Sequence, residues 1–352
     1  MAIAANNSAE NGTVRPAPAH GRLEVLDGWR ALSILLVIAG HWLPLDAVLE
    51  GANEAAGAGG MALFFTLSGF LITRFMLDRP EPKPFLIRRV LRILPLAWLA
   101  VLILFAMALF EGSERASGDY LLANLLFYDN LPPVRMFAGG EHLWSLAVEM
   151  HFYLGVALLV AIGGRKALYA LPVLAVAVTI ARIMAGEHIS IITWHRVDEI
   201  LAGSIIALIY HKALGGAFPR LLSSINFYVA VALAAVCVFF IYTPLAYLRP
   251  YAVATMVGVS LYHVPRWAEV ILVSKPARYI AQISYALYVF HGILQHTWLG
   301  SGDTVEKYLK RPLLALATWA AAHASTFYYE QRFTDLARRL TPGQRKKPLR
   351  SY

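Results

Sequence analysis

The chain has 352 residues, of which 58% are hydrophobic and 15% charged, with a formal net charge of +9 and a mean hydropathy of +0.56. Soluble domains carry about 25% charged residues, so two soluble domains are excluded in favour of one polytopic membrane domain. A single cysteine, Cys237, excludes an intramolecular disulfide and a cysteine-rich metal site.

Residues 1–25 are polar and contain no apolar core, so they read as a tail and not as a cleavable signal peptide. Ten apolar segments follow, each near the length of about 20 residues that crosses a bilayer. They lie at 30–49, 60–78, 92–111, 142–163, 167–185, 197–213, 226–243, 246–262, 278–298 and 312–330. The sixth is short and the eighth is interrupted by polar groups. The stretch YLLANLLFYDNLPP is too short to span, and lies at the interface or re-enters. Gly69, Gly155 and Gly203, inside segments, suit close helix packing. The expected class is therefore all-α: a polytopic membrane protein of about ten transmembrane helices, with residues 26–332 as the membrane domain and 333–352 as a basic tail.

With both termini in the cytoplasm, the cytoplasmic loops and tails hold 21 Lys and Arg and the outer loops 7. That bias sets orientation in polytopic proteins. It also accounts for the net positive charge, so nucleic acid is not called for as a partner.

The first segment, LDGWRALSILLVIAGHW, carries charge at both ends. Arg30 and His41 are eleven residues apart, which at 100° per residue points them the same way, about 16 Å apart along the axis. Asp27 lies one turn before Arg30. Arg30 reads equally as an interfacial group snorkelling to water. An ionisable group at the depth of His41 is a functional candidate, against a neutral histidine bonded to a neighbouring helix. The entry to the third segment, RPEPKPFLIRRVLRILP, sets Arg89 and Arg92 three apart and Arg88 and Arg92 four apart, on one helical face. These arginines are topology anchors or a phosphate site.

The opening stretch resembles the first-helix signature of the membrane acyltransferase 3 family. Four further stretches are similar to that family's motifs in the same order: FFTLSGFLIT, RRVLRILP, HLWSLAVEMHFYL and ISYALYVFHGIL. The resemblance runs from Leu26 to Glu330. It implies transfer of an acyl group, usually acetyl and in some members succinyl, from cytoplasmic acyl-CoA to a glycan or lipid-linked glycan, with the first-helix histidine essential. It implies a multi-pass protein of the bacterial cytoplasmic membrane that holds no cofactor beyond its acyl-CoA co-substrate. In the fourth segment Ala147, Met150 and His151 depart from the family's Ser, Glu and Gln, whereas Glu149 is retained. Some relatives carry a further C-terminal hydrolase-like domain, which the twenty residues after the last segment do not supply.

Acyl transfer to a hydroxyl needs a base, a stabilised oxyanion and a donor site. His41 is the candidate base or acyl carrier. Glu149, expected near the depth of His41, orients the imidazole or holds an acceptor hydroxyl; otherwise it is a charge in the outer interface. Arg30, Asp27, Arg88, Arg89 and Arg92 are the candidate acyl-CoA site, since arginine matches phosphate geometry. His142, Trp144, His291 and Tyr288 are candidate pocket contacts. Trp144 also reads as an interfacial belt residue, and His291 as a buried histidine bonded to a neighbour. Ser68 and Gly69 read as close packing, and Glu330 as structural. Histidines and acids lack metal-ligand spacing, so no metal is expected. A proton-coupled transporter is the rival reading, because intramembrane Arg, His and Glu suit it too.

Overall fold

A helix falls on each of the ten apolar segments. The computed structural model describes residues 21–342, with the side chains of Gly21 and Arg22 left aside, and it contains helices and no strand among them. In chain order they are α1 Gly21–Trp42, α2 Ala52–Asp78, α3 Pro82–Phe110, α4 Gly118–Leu125, α5 Trp144–Gly163, α6 Leu171–Ala185, α7 Thr193–Arg196 and α8 Asp198–Tyr210. There follow α9 Ala217–Ser224, α10 Phe227–Phe239, α11 Arg249–Ser260, α12 Arg266–Leu272, α13 Lys275–Gln295, α14 Thr304–Ala324, a π-turn at Ser325–Glu330, and α15 Gln331–Leu340.

Three helical stretches are long and apolar enough to cross a membrane: Ala52–Asp78, Pro82–Phe110 and Glu141–Ala185. The pair α9 and α10, bent by 86°, makes a fourth if it counts as one span. The sixth and eighth segments form helices of 13 and 12 residues, about 20 Å and 18 Å long against a hydrocarbon core of about 30 Å. Apolar side chains face outward as well as inward. Leu102 on α3, Leu158 and Ile162 on α5, and Val173 on α6 are exposed, as expected where lipid and not water is the surrounding solvent.

The tail boundaries differ from the sequence reading. Helix α1 begins at Gly21, with Val25 and Leu26 buried, so residues 21–25 belong to the folded body. At the other end α15 carries the first part of the expected basic tail and packs against α3. Residues 1–20, and the tail's Arg345, Lys346, Lys347 and Arg350, lie outside the described residues.

Two crossings fix the centre. A Cβ on Gly69 would sit 1.8 Å from the Ile200 carbonyl oxygen, and one on Gly203 would sit 2.0 Å from that of Thr66. Only hydrogen in both places lets the α2 and α8 backbones touch, the small-residue packing expected where burial in lipid supplies no drive. The third expected packing glycine, Gly155, meets nothing within 4 Å; it lies on the open face of α5. Helix α1 packs on α2 through Ser33, whose hydroxyl donates to the Gly60 carbonyl at 2.8 Å.

Candidate active site

One face of α1 lines two adjacent cavities. Arg30, Ser33, Ile34 and Val37 border a narrow one of about 10 Å³, and Val37 and His41 border a wide one of about 590 Å³. Both share Val37, Met61 and Tyr288. The common face of Arg30 and His41 expected from helical periodicity is therefore a wall that the two cavities share, and their line is called the passage. Phe64 and Tyr288, with ring centroids 6.1 Å apart and planes within 5°, stand in its narrow part.

The end of α1 is held from two sides. The Asn53 amide donates to the carbonyls of Gly40 and Leu43, both at 2.6 Å, and Gln295 donates to the His41 carbonyl at 3.3 Å. These satisfy acceptors that a helix C-terminus otherwise leaves open. His41 itself is exposed to the wide cavity. Its Nδ1 lies 2.9 Å from Nε2 of His291. The two rings lie within 4° of one plane with centroids 5.1 Å apart. That separation is the nitrogen distance plus two ring radii, so the rings meet edge to edge along an N–H···N bond and do not stack.

The proton positions follow from the network. His291 Nδ1 lies 2.5 Å from the Tyr288 carbonyl oxygen, which only accepts. The His291 proton is therefore on Nδ1, its Nε2 accepts, and His41 Nδ1 donates. The lone pair of His41 is left on Nε2, on the side away from His291. Fully buried His291 thus holds the imidazole of His41 in one tautomer. His142 completes the cluster, its ring centroid 4.5 Å from that of His291 and its Nε2 donating to the Val289 carbonyl at 3.2 Å. Tyr288 donates to the His142 carbonyl and meets Ser145 at 2.6 Å.

His142, Trp144, His291 and Tyr288 all line the wide cavity with His41. Trp144 stands in the cavity wall: its ring packs on Phe65 at 5.8 Å and lies under the Arg196 guanidinium at 5.4 Å.

Glu149 is elsewhere. Helix α5 enters at the wide cavity with His142, so Glu149 is seven residues further in, about 10 Å along the axis. There it accepts hydrogen bonds from Ser68 and Tyr153, and it does not touch His41. Ser68 is consequently a carboxylate partner and not only a packing residue. The Arg89 guanidinium stands 5.7 Å from the Tyr153 ring and 5.8 Å from that of Phe85. Arg30 feels the charges of Arg92, Asp27, Arg89 and Glu149. Of these groups Arg30 borders the narrow cavity, and the others stand around Arg30.

Two members of the expected arginine site are placed differently. Arg88 donates to Thr341, by Nε to the hydroxyl at 2.8 Å and by Nη2 to the carbonyl at 3.2 Å. It fastens the end of α15 and is drawn away from Arg30. Asp27 interacts with Arg30 and also with Arg278, without an ion pair among the described residues that would clamp Arg30. Helix α3, which carries Arg89 and Arg92, is tied around its internal Pro95. Tyr285 donates to the Ile93 carbonyl at 2.7 Å, and Tyr329 to that of Pro95 at 3.2 Å. Glu330 accepts from Ser325 at 2.9 Å across the π-turn. Among the described residues no cluster of three or more His, Cys, Asp or Glu has metal-site geometry.

Sequence reading missed Asn53, which anchors the helix end, and Arg196, which was counted as a loop charge. The signal for Arg196 was its neighbourhood, RVDE, three charges at the start of an apolar segment.

A family model described as an acyltransferase domain matches residues 23–328. The peptidoglycan O-acetyltransferase of Listeria monocytogenes is 31% identical over 153 residues, which are 37% of this chain and 22% of that protein. Nodulation protein 10 of Rhizobium leguminosarum bv. viciae is 25% identical over 327 residues, 79% of this chain and 84% of that protein. A putative peptidoglycan O-acetyltransferase of Bacillus subtilis is 26% identical over 314 residues, 77% of this chain and 48% of that protein. The chain thus spans about a fifth and about half of the two peptidoglycan-named relatives. No solved structure matches.

Proposed function

Since the chain belongs to the acyltransferase-domain family, matched over residues 23–328, we propose that it is a membrane O-acyltransferase. It moves an acyl group, acetyl foremost, from cytoplasmic acyl-CoA to a hydroxyl of a membrane-associated or exported glycan. The observation that carries this reading is the Nε2 lone pair of His41, fixed by His291 and open to a wide cavity. A neutral imidazole with a free ring nitrogen is suited to take a hydroxyl proton.

The passage supplies the rest. In the proposed orientation both termini are cytoplasmic and the ten helical segments cross or enter the bilayer. The Arg30, Arg89 and Arg92 end then faces the CoA pool, where guanidinium groups meet phosphates. The pantetheine arm carries the thioester along the Arg30–Val37–His41 face, about 16 Å of helix. His41 Nε2 removes the acceptor proton as the oxygen attacks the thioester carbonyl. The C–S bond breaks, and the CoA thiolate recovers the proton from the imidazolium. His291 Nε2, accepting from His41 Nδ1–H, stabilises that imidazolium as the orienting member of a triad does.

Names of the relatives support a cell-wall or exported glycan as the acceptor class. The test is incubation of the full chain in nanodiscs with acetyl-CoA labelled in the acetyl group and with cell-envelope glycan. Base-labile label in the glycan is expected. Label that stays with CoA under every acceptor fraction sinks the enzyme reading, and label-independent solute uptake would favour the carrier.

A further inference from the structure

Five charged side chains meet behind the wide cavity: Arg182 on α6, Arg196 at the end of α7, Asp198 and Glu199 on α8, and Arg249 on α11. All five are at most 2% exposed. Arg182 and Asp198 pair at 2.5 Å. Glu199 serves two cations, Arg249 at 2.8 Å and Arg196 at 3.4 Å. Three guanidiniums face two carboxylates, and among the described residues these two are the acids whose charge acts on Arg196 most. One positive charge is therefore uncompensated in a place where a lone charge is costly.

The excess points in one direction. Nε and Nη1 of Arg196 are buried without a hydrogen-bond partner. Arg249 also has free N–H groups, but only Arg196 lines the wide cavity with His41. Its guanidinium is held between the rings of Phe65, at 5.9 Å, and Trp144, at 5.4 Å. A cation fixed by two aromatic faces and one shared carboxylate, with two donors left unpartnered beneath a cavity wall, is a preformed anion site.

We propose that Arg196 binds a carboxylate carried by the acceptor, so that the acylated glycan unit is an acidic sugar whose hydroxyl reaches Nε2 of His41. This deepens the O-acyltransferase reading and rests on it for the word acceptor, though the binding site itself does not. The carboxylate supplies the missing negative charge and, with a small turn of the guanidinium toward the cavity, accepts from its unpartnered N–H groups. A neutral sugar leaves both unmet, and the loss of one charge-assisted hydrogen bond corresponds to roughly 10- to 150-fold in affinity.

The experiment uses the full chain in nanodiscs without acyl-CoA, so failure of acyl transfer and failure of this site are separable. Carbethoxylation of His41 by diethyl pyrocarbonate is followed by peptide mass spectrometry, with sodium D-glucuronate as probe and D-glucose plus sodium chloride as control. Glucuronate is expected to slow modification of the wild type and glucose is not. Arg196→Gln should raise the protecting concentration roughly 10- to 150-fold, and Arg196→Lys should keep part of the protection. No protection by glucuronate, equal protection by glucose, or full protection of Arg196→Gln each overturns the proposal. A second arm compares succinyl-CoA with acetyl-CoA in acyl transfer. If Arg196→Gln slows only succinyl-CoA while glucuronate fails to protect, the carboxylate belongs to the donor and the acceptor assignment falls.

Discussion

At the wide end of the passage His41 and His291 share a hydrogen bond with the His142 ring packed beside them, and the outermost, His41, stands exposed with one lone pair unused. At the narrow end Arg30 and Arg89, with Arg92 beside them, share the field of one buried carboxylate, Glu149, which is already engaged by Ser68 and Tyr153. One end can pass a proton because a neutral imidazole accepts at one nitrogen and donates at the other. The other cannot, because guanidinium stays charged; it can only attract and orient. Under the proposed function the difference assigns two tasks to the same helix, and damage to the two ends should separate into lost turnover and lost donor affinity.

The sharpest break of that comparison is His41→Ala. Transfer should fall by about 10²- to 10⁴-fold, while acyl-CoA affinity, measured by calorimetry on the inserted protein, stays near wild type. A normal transfer rate in this variant would remove the base from the mechanism. His291→Ala comes next. It leaves His41 free to turn and should lower kcat about 10²-fold, with KM for acyl-CoA unchanged. His291→Gln, whose carbonyl oxygen can accept where Nε2 did, should recover part of the loss. Equal defects in the two variants would assign His291 to packing alone.

Arg92→Ala tests the opposite end. Apparent KM for acyl-CoA should rise roughly 10- to 150-fold, the worth of one charge-assisted hydrogen bond, with kcat at saturation retained. Arg88→Ala should instead leave KM alone, since Arg88 is occupied by Thr341. If both variants raise KM alike, charge density and not contact governs donor binding. The smallest effects concern the scaffold that joins the ends. Gly69→Ala pushes a methyl into the Ile200 carbonyl and should destabilise by about 1–3 kcal/mol, read as a lower Tm in nanodiscs. Gly155→Ala meets open space and should change stability by at most about 1 kcal/mol.

Helical periodicity made the Arg30 to His41 face legible, because both residues lie on one helix and 100° per residue needs no partner. The same arithmetic could not tell Arg88 from Arg89: both stand one turn from Arg92, and what separates them is Thr341, 253 residues away. The His41 to His291 bond joins residues 250 apart in the chain, and periodicity names a helix face without naming the helix that covers it. Depth failed for Glu149 because the reading placed it near the start of its segment. The first turn is occupied by His142 and Trp144, which carries the carboxylate inward. Arg196 was sorted by the loop it borders, although the acids that bury it follow within three residues. Gly155 fits a packing motif by type, and only the position of α5 against its neighbours shows that face to be bare.

The contact of α2 with α8 at Gly69 and Gly203 has a mechanical meaning. With α1 fastened to α2 at Ser33 and Gly60, the three helices cannot slide past one another without driving backbone into backbone. His41 rides on α1, and Arg196 stands two residues before α8, so the span between the imidazole and the guanidinium is set like the jaws of a caliper. A molecule gripped at both must match that opening. Selection among acceptors then becomes a matter of length between acid and hydroxyl, decided before any bond is made.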